Sequence, residues 1–365
     1  MLEHGGRLIE AARRYGIEPA RWLDLSTGIN PHAYPVAPLD PEIWRRLPEE
    51  DDGLAGIAAH YYAAPAHATV LPIAGTQAAI QALPRVLPRV LARSRALPSG
   101  LARSMLARSR AGTPLRIAVA ALTYNEYAHA WRNAGHDVRL HAHAQLPAAA
   151  AQSDVMVLCQ PNNPTGGSLP VEAIRRILAS FSGRDAWLIV DEAYMDATPE
   201  ASLLHALKEA DLQRVLVLRS VGKFFGLAGA RAGFAIGGTA LIEALREELG
   251  PWPLSGPTRA VVARALADTD WQARTRARLD DMCARLNAVL LHRLGVRTQG
   301  TVLFRWFEHA RAQALCEHLA RHAILVRRFA TPAITGPAGL PSLRFGLPAD
   351  AAQLDRLDAA VESFT

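Results

Sequence analysis

Ser220-Val221-Gly222-Lys223-Phe224-Phe225-Gly226-Leu227-Ala228-Gly229-Ala230-Arg231 follows the apolar run Val215-Leu216-Val217-Leu218 and holds one of only two lysines among 40 basic residues. Everywhere else the basic residue is arginine. A guanidinium neither gives up its proton at a useful pH nor forms an imine, whereas a desolvated lysine amine does both. The other lysine, Lys208, has a simpler reading, because Leu203, Leu204 and Leu207 ahead of Lys208-Glu209 predict an amphipathic helix with a solvated face. Lys223 has no such face. It sits in a loop of glycines and phenylalanines as a candidate nucleophile of the Schiff-base kind.

The apolar texture before Lys223 recurs upstream. Ile117-Ala118-Val119-Ala120 precedes Tyr124, Val155-Met156-Val157-Leu158 precedes Asn162 and Asn163, and Leu188-Ile189-Val190 precedes Asp191. Helical spacings separate these runs, as at Ile174, Ile177, Leu178 and Phe181. Short, fully apolar strands alternating with helices predict an α/β fold whose mostly parallel sheet is covered on both faces. Ligands of such sheets bind beyond the carboxyl ends of the strands, where all of these polar residues fall. Val70-Leu71-Pro72-Ile73 reads as a further strand. It turns through Gly75, Thr76 and Gln77 into a helix whose first amides suit a phosphate.

The flanks divide the chain into an N-terminal arm (1–40), a large domain (41–250) and a smaller α+β domain (251–365). In the arm, His4, Gly5, Gly6 and Arg7 ahead of a helical pattern form a candidate anion cradle, and Leu23 to Pro31 reads as a short strand running into a turn. Trp252-Pro253-Leu254-Ser255-Gly256-Pro257 reads as a hinge. After it come an arginine-rich helix from Thr258 to Leu294, strand candidates at Val302–Trp306 and Ile324–Arg327, and a loop from Thr331 to Pro341. Arg327, Arg328 and Arg344 are its candidate anion ligands. Arg344, between Leu343 and Phe345, is the one best placed to clamp a carboxylate bidentately. Residues 84–114 repeat the words Leu-Pro-Arg-Val and Leu-Ala-Arg-Ser-Arg-Ala, which predicts a surface insert without chemistry.

At 365 residues and a net charge of +6 the chain can bury a large core, and its arginines are interspersed with acids, so a nucleic-acid partner is not expected. Three scattered cysteines, Cys159, Cys283 and Cys316, predict neither disulfides nor a metal site and suit the cytoplasm. No apolar run is long enough for a membrane span.

The polar residues form a coherent set for pyridoxal 5'-phosphate. Lys223 would hold the aldehyde, and Asp191 would keep the pyridine nitrogen protonated so that the ring draws electrons from a substrate carbanion. Asn163 and Tyr194 would bond the ring hydroxyl, and Tyr124 would stack on the ring. Ser220 and Arg231, with the amides of Gly75 to Gln77, would fix the phosphate. Lys223, Asp191 and Tyr194 are the candidate catalytic residues.

Gln160-Pro161-Asn162-Asn163-Pro164-Thr165-Gly166, Asp191-Glu192-Ala193-Tyr194 and Ser220-x-x-Lys223 with Arg231 resemble the marks of the fold-type I, class I/II aminotransferase superfamily, over nearly the whole chain. Within it, His4-Gly5-Gly6, Ser26-Thr27-Gly28-Ile29-Asn30-Pro31, Leu122-Thr123-Tyr124-x-Glu126-Tyr127 and Trp252-Pro253-Leu254-Ser255 resemble the branch of L-threonine-O-3-phosphate decarboxylases of cobalamin biosynthesis. The resemblance implies a homodimer acting on a small phosphorylated amino acid. It also implies that His4, Gly5 and Gly6 with Arg327 or Arg328 hold the substrate phosphate, and Asn30 with Arg344 its carboxylate. Transamination, as by histidinol-phosphate aminotransferases, is the alternative, because both chemistries use one cofactor apparatus and substrate pose decides between them. Gly222 departs from the Ser or Thr usual before the lysine, and Arg46-Leu47-Pro48-Glu49 lacks the tyrosine that reaches across the dimer in relatives.

Overall fold

A computed structural model describes residues 5–95, 113–329 and 340–364. His4, residues 96–112 of the repeat-rich segment and residues 331–339 of the expected loop lie outside them. The chain opens with α1 (Leu8–Tyr15) and β1 (Leu23–Asp24), runs extended to α2 (Leu54–Tyr61), and then alternates. β2 (Thr69–Ile73), α3 (Thr76–Arg95), β3 (Arg116–Ala120), α4 (Glu126–Asn133), β4 (Asp137–His141), α5 (Leu146–Ala149), β5 (Val155–Cys159), α6 (Val171–Ser180), β6 (Trp187–Asp191), β7 (Val215–Ser220) and β8 (Gly233–Gly237) follow. The sheet has seven strands in the order β2-β8-β7-β6-β5-β3-β4, and only β8 runs against its neighbours. Alternate residues of each central strand enter different cores: Ile117, Val157 and Ile189 pack with α3, while Ala118, Leu158 and Val190 pack with α6. That double burial is the reason these strands read as unbroken apolar runs.

α3 corrects the expectation for the repeats. It continues to Arg95 through Pro84 and Pro88, with Val86, Leu87 and Leu91 buried, so residues 84–91 are core helix rather than surface insert. Pro88 cannot donate to the carbonyl of Pro84, and the His136 Nε2–H does so instead at 2.9 Å. The helix expected around Lys208 is two 3₁₀ turns, Leu203–Ala206 and Glu209–Gln213. Side chains capture the amides a longer helix would use: Leu203 N donates to Glu192 Oε1 at 2.7 Å and Lys208 N to Asp211 Oδ2 at 2.8 Å.

After α7 (Thr239–Leu249), the arginine-rich stretch is two helices, α8 (Gly256–Ala267) and α9 (Thr269–Leu294). Asp268 separates them by accepting from Trp271 N at 2.9 Å as the cap of α9. β9 (Gln299–Thr301), β10 (Phe304–Glu308), α10 (Ala312–Arg321), β11 (Ile324–Leu325), β12 (Arg327–Phe329), β13 (Ser342–Gly346) and α11 (Ala351–Glu362) complete the chain. The strands form an antiparallel sheet in the order β12-β13-β10-β9, and β11 pairs with β1. The N-terminal arm is therefore packed on the C-terminal part, with Ala11, Trp22 and Ala323 in one small core. The C-terminal sheet meets the loop after β5 without an intervening side chain, since a Cβ on Gly166 would lie 2.3 Å from the Gly300 carbonyl.

Candidate active site

At the carboxyl ends of β5, β6 and β7 an inner cavity of about 130 Å³ is lined by Gly75, Thr76, Gln77, Tyr124, Asn163, Asp191, Tyr194, Ser220, Lys223 and Arg231. Every residue expected to hold the cofactor is there. An outer cavity of about 280 Å³ shares Tyr124, Asn163, Tyr194, Lys223 and Arg231 and adds Gly5, Thr27, Arg327 and Arg344.

Asp191 ends β6 in full burial and receives the Tyr127 hydroxyl at 2.8 Å and the Ala193 amide at 3.0 Å. Burial lifts its carboxyl to about 6, against the pull of those two donors and of Lys223. Tyr127 lies in the first turn of α4 and meets the Tyr124 ring edge-on at 5.5 Å between centroids. Tyr124 donates to Gln77 Oε1 at 3.0 Å, and Gln77 Nε2 in turn donates to Glu126 at 2.9 Å. Burial raises the Tyr124 hydroxyl well above its ordinary range, so it stays protonated. Lys223 Nζ lies 5.6 Å from the centre of the Tyr194 ring. Cys159, an unforeseen lining residue, is an inert thiol that burial pushes up to about 12.

A phosphate cradle is present beside these groups. Gly75 adopts φ 73° at the start of α3, and a Cβ there would meet Arg231 Nη2 at 3.1 Å. The first amides of the helix, the Arg231 guanidinium and Ser220 thus face one small volume. Gly222 leaves no room for the hydroxyl residue of relatives without a shift, because a Cβ there would meet Ala228 Cα at 3.3 Å. A buried carboxylate, an amine, a flanking aromatic and an anion cradle in one cavity fit pyridoxal phosphate.

The substrate side is resolved by strand register. Arg327 lies directly across from Arg344 on neighbouring antiparallel strands, so both share a sheet face and both line the outer cavity. Like charges placed opposite each other disfavour the pairing unless an anion joins them. Arg328 pairs with Leu343 and so faces the other side of that sheet, which corrects its candidacy. Arg344 is buried, donates Nη1 to Asn163 Oδ1 and Nη2 to the Ser26 carbonyl at 2.5 Å, and keeps Nε without a partner. Burial lowers its pKa from the usual arginine value. Gly5 borders this cavity, while the exposed Gly6 donates to Ser26 Oγ at 2.8 Å. Asn30 departs from expectation: it is buried and lines neither cavity, and its Nδ2 donates to the Phe224 carbonyl at 2.8 Å.

Beneath the site Arg219, at 1% exposure, bonds Glu192 Oε2 at 2.6 Å and Asp196 Oδ1 at 2.7 Å. Arg219 and Glu192 adjoin Ser220 and Asp191 in sequence, so their ion pair ties the ends of β6 and β7 together. Among the described residues no group of three or more His, Cys, Asp or Glu is placed to hold a metal, and no helix is long and apolar enough to cross a membrane.

Comparison with known proteins agrees with this geometry. The family model for aminotransferase class I and II matches residues 54–361. Threonine-phosphate decarboxylase of Pseudomonas aeruginosa is 44% identical over 100% of this chain and 98% of its own length. Threonine-phosphate decarboxylase of a Sinorhizobium species is 36% identical over 90% of each chain. Among solved structures, histidinol-phosphate aminotransferase from Sinorhizobium meliloti in complex with pyridoxal-5'-phosphate superposes with a TM-score of 0.72 at 18% identity, covering 100% of this chain and 98% of that one. The protein belongs to the aminotransferase class I and II family, on its threonine-phosphate decarboxylase branch.

Proposed function

We propose that the protein uses pyridoxal phosphate to decarboxylate L-threonine O-3-phosphate, giving (R)-1-amino-2-propanol O-2-phosphate and carbon dioxide for cobalamin biosynthesis. The observation that carries this reading is the pair Arg327 and Arg344, two cations side by side over the cavity that holds Lys223. A substrate with one phosphate and one carboxylate satisfies both. The full-length likeness to a threonine-phosphate decarboxylase at 44% identity favours decarboxylation, whereas the 18% likeness to a histidinol-phosphate aminotransferase supports the fold alone.

When bound, pyridoxal phosphate supplies a conjugated electron sink at the substrate α-carbon. The chain does the rest. Asp191, oriented by Tyr127 and Ala193, would hold the proton on the ring nitrogen. Asn163 takes the Arg344 donor on Oδ1, which leaves its amide hydrogens for the cofactor's ring hydroxyl, and Tyr194 in the same cavity would bond that hydroxyl too. Tyr124 would cover the ring, and Arg231, Ser220 and the amides of Gly75, Thr76 and Gln77 would bind the cofactor phosphate. Arg327 with Gly5 would bind the substrate phosphate, and the Arg344 guanidinium would bind its carboxylate. Lys223, which lines both cavities, would be the group that returns a proton to the substrate α-carbon once the carboxylate has left as carbon dioxide.

Residues 251–365 act as the smaller domain that closes on the site. The homodimer is supported by Val36, Trp44, Leu47 and Trp252, exposed apolar side chains that a partner copy would cover. Three free cysteines suit the cytoplasm. Incubation with L-threonine O-3-phosphate in the absence of any keto acid tests the reaction. Carbon dioxide and aminopropanol phosphate are expected, and a product that forms only when 2-oxoglutarate is added would establish transamination instead.

A further inference from the structure

We infer that Asn30 is a positioning residue for Lys223, acting through the main chain of the lysine loop rather than on the substrate carboxylate. This rests on the reading of Lys223 as the cofactor-bearing amine. Residues 30–34 lie along the loop 223–226. Asn30 N donates to the Lys223 carbonyl at 3.0 Å, Asn30 Nδ2 to the Phe224 carbonyl at 2.8 Å, and Tyr34 N to the Phe225 carbonyl at 2.8 Å. The Asn30 side chain is itself held, because Oδ1 accepts from His32 N at 2.9 Å. Three successive carbonyls around the amine are thus bonded from one strap, and its central side chain is 3% exposed.

The fit is close enough to demand glycine on the far side. Gly226 has φ 66°, and a Cβ there would meet Ala33 Cα at 2.7 Å and the Asn30 carbonyl at 3.0 Å. The other end of the strap touches the substrate side, where the Ser26 carbonyl accepts from Arg344 and Thr27 and Ile29 border the outer cavity. Five residues of chain, from Ser26 to Asn30, therefore join the partner of the carboxylate clamp to the partner of the reactive amine. A bond network that orients a reacting group without touching the reactants tunes its geometry, and misplacement by about 1 Å costs on the order of a hundredfold in rate.

Asn30→Asp separates this role from substrate binding. It keeps the acceptor for His32 N and the volume but removes the donor to the Phe224 carbonyl. The expected result is a fall in kcat of about tenfold to a hundredfold with KM within about twofold, the range seen when outer partners of a functional group are lost. Without substrate, the pH midpoint of the Lys223-linked cofactor absorbance shifts, and the apoprotein binds pyridoxal phosphate more weakly in equilibrium dialysis. Gly226→Ala, which presses on the same strap from the opposite side, reproduces the spectral shift, and a melting curve confirms that each variant is folded. A rise in KM with kcat and the cofactor spectrum unchanged would place Asn30 on the substrate and overturn the inference, as would wild-type behaviour in Asn30→Asp. Wild-type protein that takes up no cofactor would overturn the site reading and this inference with it.

Discussion

Tyr127→Phe isolates the electrostatics of Asp191. Burial raises the Asp191 carboxyl from 3.8 to about 6 in the cofactor-free protein. Because the folded value lies above the unfolded one, its contribution to stability is full below about pH 4 and is lost as pH rises through about 6. The two-unit difference corresponds to about 3 kcal/mol. Removing the Tyr127 hydroxyl, which donates at 2.8 Å, deletes a bond to the ionised carboxylate worth about 1.5–3 kcal/mol, or one to two further pKa units. The variant should therefore go on losing stability to about pH 7 or 8, where wild type has levelled off. Urea unfolding of both apoproteins from pH 4 to pH 8.5 measures this. The expected cost of the substitution is about 1 kcal/mol or less at pH 4, where the bond is neutral, and the full charged value at pH 8. An equal cost at both ends would refute the reasoning, because it would mean that Asp191 does not titrate between them.

Lys223→Ala should leave a colourless protein in which borohydride fixes no cofactor to the chain, as read by absorbance and intact mass. Arg327→Ala should reduce kcat/KM for L-threonine O-3-phosphate about tenfold to a hundredfold, the loss of one charge-assisted bond, while Arg328→Ala on the other sheet face leaves it within about twofold. Arg344→Ala should lower kcat/KM for L-threonine O-3-phosphate while the protein still takes up pyridoxal phosphate, as read by absorbance. Arg219→Met strands Glu192 and Asp196 in the interior and should cost about 3–5 kcal/mol in urea unfolding, with a fully folded, wild-type midpoint as the contrary result.

The central sheet was legible because β3, β5, β6 and β7 are buried on both faces and carry no polar interruption. β4 escaped notice since Asp137-Val138-Arg139-Leu140-His141 is a half-exposed edge, and β8 because glycines bound it. Gly233 and Gly237 are there for close approach: a Cβ on either would lie within 3 Å of a carbonyl of β7. Most of the cofactor-facing residues could be read from sequence since they lie at or just after a strand end, as Asp191 and Ser220 do on β6 and β7. Choosing between Arg327 and Arg328 required the register of β12 on β13, which no local pattern encodes. The placement of Asn30 is hidden for a similar reason, as its partner Phe224 lies 194 positions away. Arg219 ends an apolar run and gives no sign of the acids that neutralise it from Glu192 and Asp196.

The touching backbones of Gly166 and Gly300 have a bearing on how the two halves of the site communicate. With no side chain between them to change rotamer and absorb a displacement, the peptide planes act as a strut. The sheet that carries Arg344 thus rests directly, backbone on backbone, against the turn that carries Asn163. Enlarging Gly166 would press on the Gly300 carbonyl and wedge that joint open, although Gly166 borders neither cavity.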